Sequence, residues 1–253
     1  MRRRNRVIIT IGLLAITVVT SIFFRQNENL VFAFLEKEQP IFRVDREDKA
    51  VSLTFDVNWA EEEYLQDILN VLEKYNVKAT FFVMGKWVNY PEGNKEKLIK
   101  INEGGHEIGN HSYVHPMFPK IDDARIKEEL EKTDQIIKDT IGVEPTKLFR
   151  FPSGDYNGKS YNTVSNLGYI PIQWDVDSVD WKQSNADTEY QRVMKKVKPG
   201  SIILFHNNAK YTPGNLEKII PELQNQGYKF LPISELIYNE EYYINEEGEQ
   251  RKK

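Results

Sequence analysis

The stretch "AVSLTFDVNWA", residues 50–60, is a run of apolar and β-branched residues that ends on a single carboxylate, Asp56. Such a run favours a β-strand. Val57, Asn58 and Trp59 follow the acid, so no second carboxylate stands beside it. A carboxylate at a strand end is often only the N-cap of the next helix. The meaning of Asp56 therefore depends on which residues follow the other strands.

Strand-like and helix-like patterns alternate along the chain from residue 50 onward. This alternation predicts a parallel β-sheet whose strands are connected by crossover helices. The number of strand candidates fits an α/β fold of the distorted (β/α)7 barrel type better than a small open sheet. The strand candidates are residues 50–56, 79–83, 106–111, 147–152, 169–175, 200–206 and 228–233.

The N-terminal segment has the pattern of a signal anchor. A basic run, residues 1–6, precedes 18 mostly apolar residues without a charge, residues 7–24. That length just spans a hydrocarbon core, and the basic flank predicts that residues 1–6 are cytoplasmic and the following domain is extracellular, with a single pass through the cell membrane. Cleavage after Val31–Ala33 is the alternative. The predicted organisation continues with a linker at 25–47, one catalytic domain at 48–240 and a polar C-terminal tail at 241–253.

The composition excludes two classes of site. The formal net charge is -4, which gives no electrostatic reason to expect nucleic-acid binding. There are no cysteines, so neither a disulfide framework nor a thiolate metal site can form.

Polar, reactive residues recur at the ends of the predicted strands. In a β/α barrel these ends meet on one rim, where catalysis takes place. His111 and His115 are four residues apart, a spacing that can place two imidazoles on one side of a helical turn, as zinc ligands require. The same spacing also arises by chance on surface helices. His106 precedes its strand and is predicted to be structural. The residues at strand ends are Asp56, His111, His115, Arg150, Asp175, Asp177, Asp180 and His206.

Five short motifs between residues 48 and 238 resemble, in order, those of the polysaccharide deacetylases, the family 4 carbohydrate esterases. One motif would be weak support, but five in order at sensible spacing are specific. The resemblance implies a distorted (β/α) barrel that removes N-acetyl or O-acetyl groups from glycans with a divalent metal. The motifs are "TFDVN" (54–58), "HSYVH" (111–115), "RFPSGDYN" (150–157), "DSVDW" (177–181) and "ILFH" (203–206).

The resemblance implies a catalytic role for four side chains. Asp56 matches the base that takes a proton from the attacking water, and Arg150 matches the arginine that orients it. His206 matches the general acid, and Asp180 matches the carboxylate that keeps this histidine protonated.

The resemblance also implies a metal site and a substrate pocket. His111 and His115 match the metal-binding histidines, with Zn²⁺ as the expected ion and Co²⁺ or Mn²⁺ as alternatives. The backbone N–H of Ser153 matches the oxyanion donor, a role that does not depend on the side chain. Trp181 and Leu204 match residues that line the pocket for the acetyl methyl group.

Val57 departs from the family pattern. The family has its third metal ligand, an aspartate, at this position, and valine cannot coordinate a metal. Asn58, one residue on, offers a neutral oxygen that could replace the lost carboxylate. Three consequences stay open: weak metal binding, chemistry with a substitute ligand, or a site without catalysis. Asp56, Arg150, His206 and its partner Asp180 are all retained, which favours activity.

These observations predict an anchored, outward-facing hydrolase that deacetylates a cell-wall glycan, with peptidoglycan as the expected substrate. One alternative is a glycan-binding pseudoenzyme with the same groove. The other is a barrel glycosidase that uses two of Asp56, Asp175, Asp177 and Asp180. A glycosidase needs two carboxylates that flank the scissile bond, and it has no use for the histidine pair.

Overall fold

A curled parallel sheet forms the centre of the folded chain; the computed structural model describes residues 39–253. The strands of this part of the chain are β1 Arg43–Val44, β2 Ala50–Val57, β3 Thr80–Val83, β4 Glu107–Asn110, β5 Leu148–Phe149, β6 Ile170–Pro171, β7 Val176–Asp177, β8 Ile202–His206, β9 Lys229–Phe230, β10 Tyr242–Ile244 and β11 Glu249–Lys252. The main sheet has the order β6-β5-β4-β3-β2-β8-β7, with β9 paired to the start of β2, and every pairing in it is parallel.

Helices connect the parallel strands. The long helix between β4 and β5 begins where Asp122 accepts a hydrogen bond from the backbone of Arg125, and it ends at Gly142, whose left-handed φ of 77° closes the last turn. The helices are α1 Leu65–Lys74, α2 Gly85–Asn89, α3 Asn94–Glu103, α4 Asp123–Ile141, α5 Gly158–Asn166, α6 Ala186–Lys196, α7 Thr212–Asn225 and α8 Ile233–Leu236.

Strand β2 lies in the middle of the sheet and separates its two faces. Leu53, Phe55 and Val57 belong to the buried cluster that packs against α1, and all three are fully buried. Because side chains alternate along a strand, Thr54 and Asp56 lie on the opposite face. Burial of side chains such as these stabilises the fold by about 1.5–3 kcal/mol each. The apolar half of β2 therefore holds Asp56 at a fixed place.

All seven predicted strands are present, but the sheet is a curled half-barrel. Within residues 39–253, no hydrogen-bonded pairing joins the outer strands β6 and β7. The strand β7 was not predicted, because its two residues lie among acids. The edge at β6 is covered by Ile41, whose N–H donates to Pro171 O at 2.9 Å and whose carbonyl accepts from Gln173 N at 2.8 Å. The backbone groups of this edge are thereby satisfied.

A second sheet, with the order β1-β11-β10, lies in segments that were predicted to be a linker and a tail. Its polar residues are buried because their hydrogen bonds are satisfied: the side chain of Gln250 accepts from Tyr238 N at 2.8 Å and donates to Tyr238 O at 2.7 Å. Glu249 forms an ion pair with Arg43. The predicted tail at 241–253 thus forms a hairpin instead, which apolar periodicity alone does not reveal.

The predicted signal anchor, residues 7–24, lies outside the described residues. Between residues 39 and 253, no helix is both long enough and apolar enough to cross a bilayer.

Candidate active site

A buried ion pair connects the end of β2 to the residue after β5. Nη1 of Arg150 donates to Oδ1 of Asp56 at 2.8 Å, and both residues are buried. Nη2 of Arg150 donates to the carbonyl of Gln173 at 3.1 Å, and the guanidinium lies 4.1 Å from the centre of the Phe82 ring. These contacts offset the cost of burying the two charges. They also fix the carboxylate, so that Oδ2 of Asp56 stays free of the arginine.

The charge state of Asp56 follows from these neighbours. Burial alone would raise the pKa of Asp56, but the positive charges that face it lower the pKa below its usual range. Arg150 supplies the permanent positive charge, because arginine stays protonated in proteins. Asp56 is therefore ionised at neutral pH and can accept a proton.

His111 presents an unprotonated nitrogen to the site. Burial lowers the pKa of His111 to about 4, so the ring is neutral at pH 7. Its Nδ1 lies 2.9 Å from the carbonyl oxygen of Arg150, which only accepts, so Nδ1 carries the proton. Nε2 therefore has a free lone pair; it is buried without a hydrogen-bond partner, 3.5 Å from Oδ2 of Asp56. An oriented imidazole of this kind is typical of a metal ligand.

The segment that carries the two histidines is a loop, which differs from the helical turn that their spacing suggested. Ser112 and His115 have left-handed φ angles of 63° and 59°. The buried carboxylate of Glu129 on α4 accepts from the backbone of Tyr113 at 2.7 Å and of Val114 at 2.8 Å. The loop brings the ring centres of His111 and His115 to 5.0 Å.

The donor set fits a divalent cation through two imidazoles, with fewer protein ligands than usual. In residues 39–253, no group of three or more His, Asp or Glu residues is arranged to hold a metal ion. Val57 packs in the apolar cluster of β2. Oδ1 of Asn58 is buried without a hydrogen-bond partner among the described residues. Catalytic zinc usually has three protein ligands, so weak binding is expected.

A second pair, Asp180 and His206, lies across the sheet from Arg150. Nδ1 of His206 lies 2.7 Å from Oδ1 of Asp180, while Oδ2 accepts from the backbone of His206 at 2.9 Å and from the hydroxyl of Thr212 at 2.7 Å. Burial alone would lower the pKa of His206, but the hydrogen bond and charge of Asp180 outweigh it and raise the pKa. The imidazole is therefore suited to donate a proton.

The two pairs meet because β2 and β8 are in register. Asp56 is the direct partner of His206 in this parallel pairing, so both side chains stand on the same face of the sheet. Leu204, two residues before His206 and 2% exposed, lies on that face below them. The structure thus brings an ionised carboxylate, a histidine with a raised pKa and an apolar side chain together at one rim.

Two further predicted residues lie on loops of this rim. Ser153 is exposed in a single 3₁₀ turn after β5, with a left-handed φ of 56°. Trp181 lies in another such turn after β7 and is 55% exposed. That turn is flanked by Val179 and Gln183, both with positive φ. Positive φ is a true outlier for valine, and strained residues of this kind cluster at functional sites.

Sequence reasoning missed the residues that hold the loop after β2. The side chain of Asn207 accepts from Asn58 N at 3.0 Å and donates to Asn58 O at 2.9 Å. It also donates to Glu63, whose carboxylate accepts from the indole of Trp87 and pairs with Lys97. The only sequence signal was an asparagine directly after the motif histidine. Asn207 therefore fixes the backbone of Asn58.

Among the described residues, each carboxylate that a glycosidase was predicted to use is engaged by another group, as Asp56 is by Arg150. Asp175 accepts from the hydroxyl of Ser201 and from Ile202 N, both at 2.9 Å, at the start of β8. It therefore lies at the opposite end of β8 from His206. Asp180 is engaged by His206, and Asp177 accepts from Val179 N at 2.7 Å.

His106, as predicted, is structural: its Nδ1 accepts from Ala79 N at 3.3 Å.

The family model for polysaccharide deacetylase matches residues 43–172. The chain belongs to the polysaccharide deacetylase family. It is 34% identical over 218 residues to a peptidoglycan-N-acetylglucosamine deacetylase of Bacillus cereus, with 81% of this chain and 74% of that protein covered. The family typically uses a divalent metal and acts as an amide hydrolase on polysaccharide.

Two other similar proteins are not described as active deacetylases. The uncharacterized protein YlxY of Bacillus subtilis is 36% identical over 199 residues, which cover 79% of this chain but only 60% of YlxY. The solved structure of BA3943 from Bacillus anthracis, described as a CE4 family pseudoenzyme, has a TM-score of 0.72 at 36% identity, with 79% of this chain and 69% of BA3943 covered. A mutant of BA3943 is described as having restored enzymatic activity.

Proposed function

We propose that this chain removes the acetyl group from N-acetylated sugars of peptidoglycan, by metal-assisted general acid and base catalysis. The observation that carries the proposal is that Asp56 on β2 and His206 on β8 are paired in register. Asp56 also bonds to Arg150, and His206 bonds to Asp180. The names of curated relatives, which include peptidoglycan deacetylases of both the N-acetylglucosamine and the N-acetylmuramic acid type, support the substrate class.

The two ionised pairs divide the proton transfers of amide hydrolysis. Oδ2 of Asp56, which Arg150 leaves free, takes a proton from the water that attacks the acetyl carbon. His206 then donates its proton to the sugar nitrogen as the C–N bond breaks, so acetate and a free amine leave. A divalent cation held by His111 and His115 would polarise the acetyl carbonyl and lower the pKa of its bound water.

The rim residues complete the site in this proposal. The backbone N–H of Ser153 donates to the oxyanion as it forms, since preorganised main-chain donors are effective where charge develops. Leu204 and Trp181 enclose the acetyl methyl group, one from the sheet and one from the loop after β7. Both are apolar, as a methyl group requires.

A glycan-binding pseudoenzyme is the second candidate, and Val57 favours it. A valine in the apolar core at this position leaves two histidines as the metal ligands. We propose that the chain belongs to a subgroup of the family in which the second aspartate of the first motif is replaced. The likeness to BA3943, itself described as a pseudoenzyme, supports this candidate.

Acetate release distinguishes the two candidates. The full chain is incubated with a peptidoglycan fragment and with N-acetylglucosamine oligomers, in turn with Zn²⁺, Co²⁺ and Mn²⁺, and Asp56→Asn serves as the matched control. Metal-dependent release of acetate that Asp56→Asn abolishes supports the enzyme. Binding of the fragments without release at any metal concentration supports the pseudoenzyme.

We also propose that the chain is anchored in the cell membrane by residues 7–24, with the catalytic domain outside. The basic run before them and the wall-located substrate support this proposal. Protease added to wall-stripped cells should digest the domain. A soluble form that lacks the first 33 residues would show cleavage instead.

A further inference from the structure

An apolar pocket that the catalytic mechanism does not use opens beside the rim. Trp59, Met84, Lys86 and Tyr90 line it, and its volume is about 280 Å³. Trp59 lies three residues after Asp56, and the N–H of Met84 donates to the carbonyl of Val57 at 3.0 Å. The pocket therefore adjoins the C-terminal end of β2, where the catalytic groups lie.

Three of the four side chains that line this pocket have polar ends without a partner in the described part of the chain. Trp59 is 48% exposed and Tyr90 is 60% exposed. Among residues 39–253, the Trp59 indole, the Tyr90 hydroxyl and the Lys86 ammonium form no hydrogen bond or ion pair with one another or with any other side chain. The nearby Trp87, in contrast, is buried and donates to Glu63 at 3.0 Å. Large exposed aromatics whose donors are unused mark a binding surface.

Lys86 is the charged member of this pocket. Its backbone N–H donates to the carbonyl of Tyr113 at 2.8 Å, which ties the pocket wall to the loop of the two metal-site histidines. Its side chain is exposed, and it has no acidic partner among the described residues. A single unpaired cation at the edge of an apolar pocket complements a ligand with an apolar face and one carboxylate.

We propose that this pocket binds the sugar next to the one that is deacetylated, and that this neighbouring sugar carries a carboxylate. This inference rests on the proposed function. The indole and phenol rings pack against the C–H face of a pyranose ring, and their free donors reach its hydroxyl groups. Lys86 pairs with the acid, which N-acetylmuramic acid provides on its lactyl group where no stem peptide is attached to it. The pocket thereby favours peptide-free peptidoglycan strands over a neutral N-acetylglucosamine polymer.

Binding without turnover tests this assignment. The full chain with Asp56→Asn is titrated calorimetrically with two probes: a neutral N-acetylglucosamine tetramer and a tetrasaccharide in which N-acetylglucosamine and N-acetylmuramic acid alternate. Trp59→Ala and Tyr90→Ala, each added to this background, should weaken binding of both probes about three- to tenfold. Lys86→Gln should weaken only the carboxylate-bearing probe, by about threefold.

Two substitutions far from the rim serve as matched controls. Val143→Ala removes an exposed apolar residue just after α4, and Lys196→Gln removes an exposed cation at the end of α6. Neither should change the affinity for either probe. The assignment would be overturned if Trp59→Ala and Tyr90→Ala bound both probes as tightly as the Asp56→Asn background does. The role of the carboxylate would be overturned if Lys86→Gln weakened binding of both probes equally.

A membrane surface is the other occupant that tryptophan, tyrosine and lysine could contact. Vesicles of zwitterionic and anionic lipid are therefore included as a third probe of the full chain. Vesicle binding that depends on Trp59, without any oligosaccharide binding, would overturn the sugar site. Sugar binding that persists while no acetate is released would instead refute the proposed catalysis and leave the sugar site supported.

Discussion

The hydroxyl of Thr212 donates to the same carboxylate of Asp180 that holds the imidazole of His206. Thr212 is fully buried at the first position of α7, so its hydroxyl has a fixed direction. Asp180 thus accepts three hydrogen bonds, two of them from His206. The position and the proton affinity of His206, the proposed general acid, therefore depend on the first residue of α7 as well as on the end of β8.

Substitution of Asp180 should shift the basic limb of the pH–rate profile. The raised pKa of His206 depends on the charge of Asp180. In Asp180→Asn that charge is absent, so His206 loses its proton at lower pH and the basic limb moves to lower pH. His206→Ala should lower turnover by about 10² to 10⁴. A lower melting temperature with an unchanged pH profile in both variants would show that the two residues only stabilise the rim.

Thr212→Val should move the same limb in the opposite direction. Without the hydroxyl donor, the carboxylate of Asp180 is more basic and stabilises the imidazolium of His206 more strongly. The pKa of His206 should therefore rise further, and the basic limb should move to higher pH. Thr212→Ser retains the hydroxyl and is the matched control, with a profile close to wild type. A profile of Thr212→Val that overlays wild type would remove Thr212 from the positioning of the acid.

Val57→Asp should lower the stability of the fold without metal. Added Zn²⁺ should raise the melting temperature of this variant by more than it raises that of wild type. Val57 is fully buried in an apolar cluster, so a carboxylate there costs several kcal/mol unless a cation compensates it. Val57 is the last residue of β2, so a polar side chain there can leave the apolar face by turning over the strand end. In that orientation the new acid is a third ligand, and it should tighten Zn²⁺ binding by about 1 kcal/mol or more.

The measurement is the melting temperature with and without Zn²⁺, together with calorimetric Zn²⁺ affinity. Val57→Asn is the matched control, because it places a polar group of the same size there without the charge. It should show the loss of stability without the gain in affinity. Equal Zn²⁺ affinity in wild type and Val57→Asp would contradict the view that Val57 weakens the metal site.

Acid should destabilise the fold through His106. Burial lowers the pKa of His106 to about 4, from an ordinary value of 6.5. Between these two pH values the unfolded chain binds a proton that the folded chain does not, so stability falls as the pH falls from 6.5 to 4. The contribution is on the order of 3 kcal/mol.

His106→Asn tests this contribution, because its amide oxygen can still accept from the N–H of Ala79. Melting curves are recorded at pH 7 and pH 4.5. The drop in melting temperature between the two should be smaller in His106→Asn than in wild type. His111, whose pKa is also lowered to about 4, should supply part of the drop that remains. An identical drop in melting temperature in both proteins would show that groups other than His106 cause the acid sensitivity.

The predicted strands were recovered because their signal is local. Strand β2 buries Leu53, Phe55 and Val57 against helices, and this apolar pattern can be read without the partner strands. Strand β7 has only two residues, and its pairing to β8 depends on the register of Val176 with Ile203, which no local pattern encodes. The hairpin of β10 and β11 was missed for a similar reason, since buried polar contacts hold it.

The candidate site, like the fold, was predictable from the sequence only in part. Asp56 lies beside Arg150, His111 and His206, because parallel strand ends meet at one rim. The geometry of His111 and His115 was not predictable from their spacing. The loop that carries them is held by the carboxylate of Glu129, which lies 14 residues after His115 in the sequence. Likewise, the clamp of Asn207 on Asn58 joins residues 149 positions apart. Such long-range polar contacts follow from the fold and not from periodicity.

The pairing of β1 with β11 has a mechanical consequence. The two strands run parallel, with Arg43 opposite Glu249, so the beginning and the end of the described chain are hydrogen-bonded side by side. The backbone of Phe42 donates to Gly248 at 2.8 Å, and that of Asp45 donates to Gln250 at 2.8 Å. Tension between Gln39 and Lys253 would pull these strands past each other and load the bonds together in shear. A force applied at the two ends is therefore resisted at this short sheet before it reaches β2 and the catalytic rim.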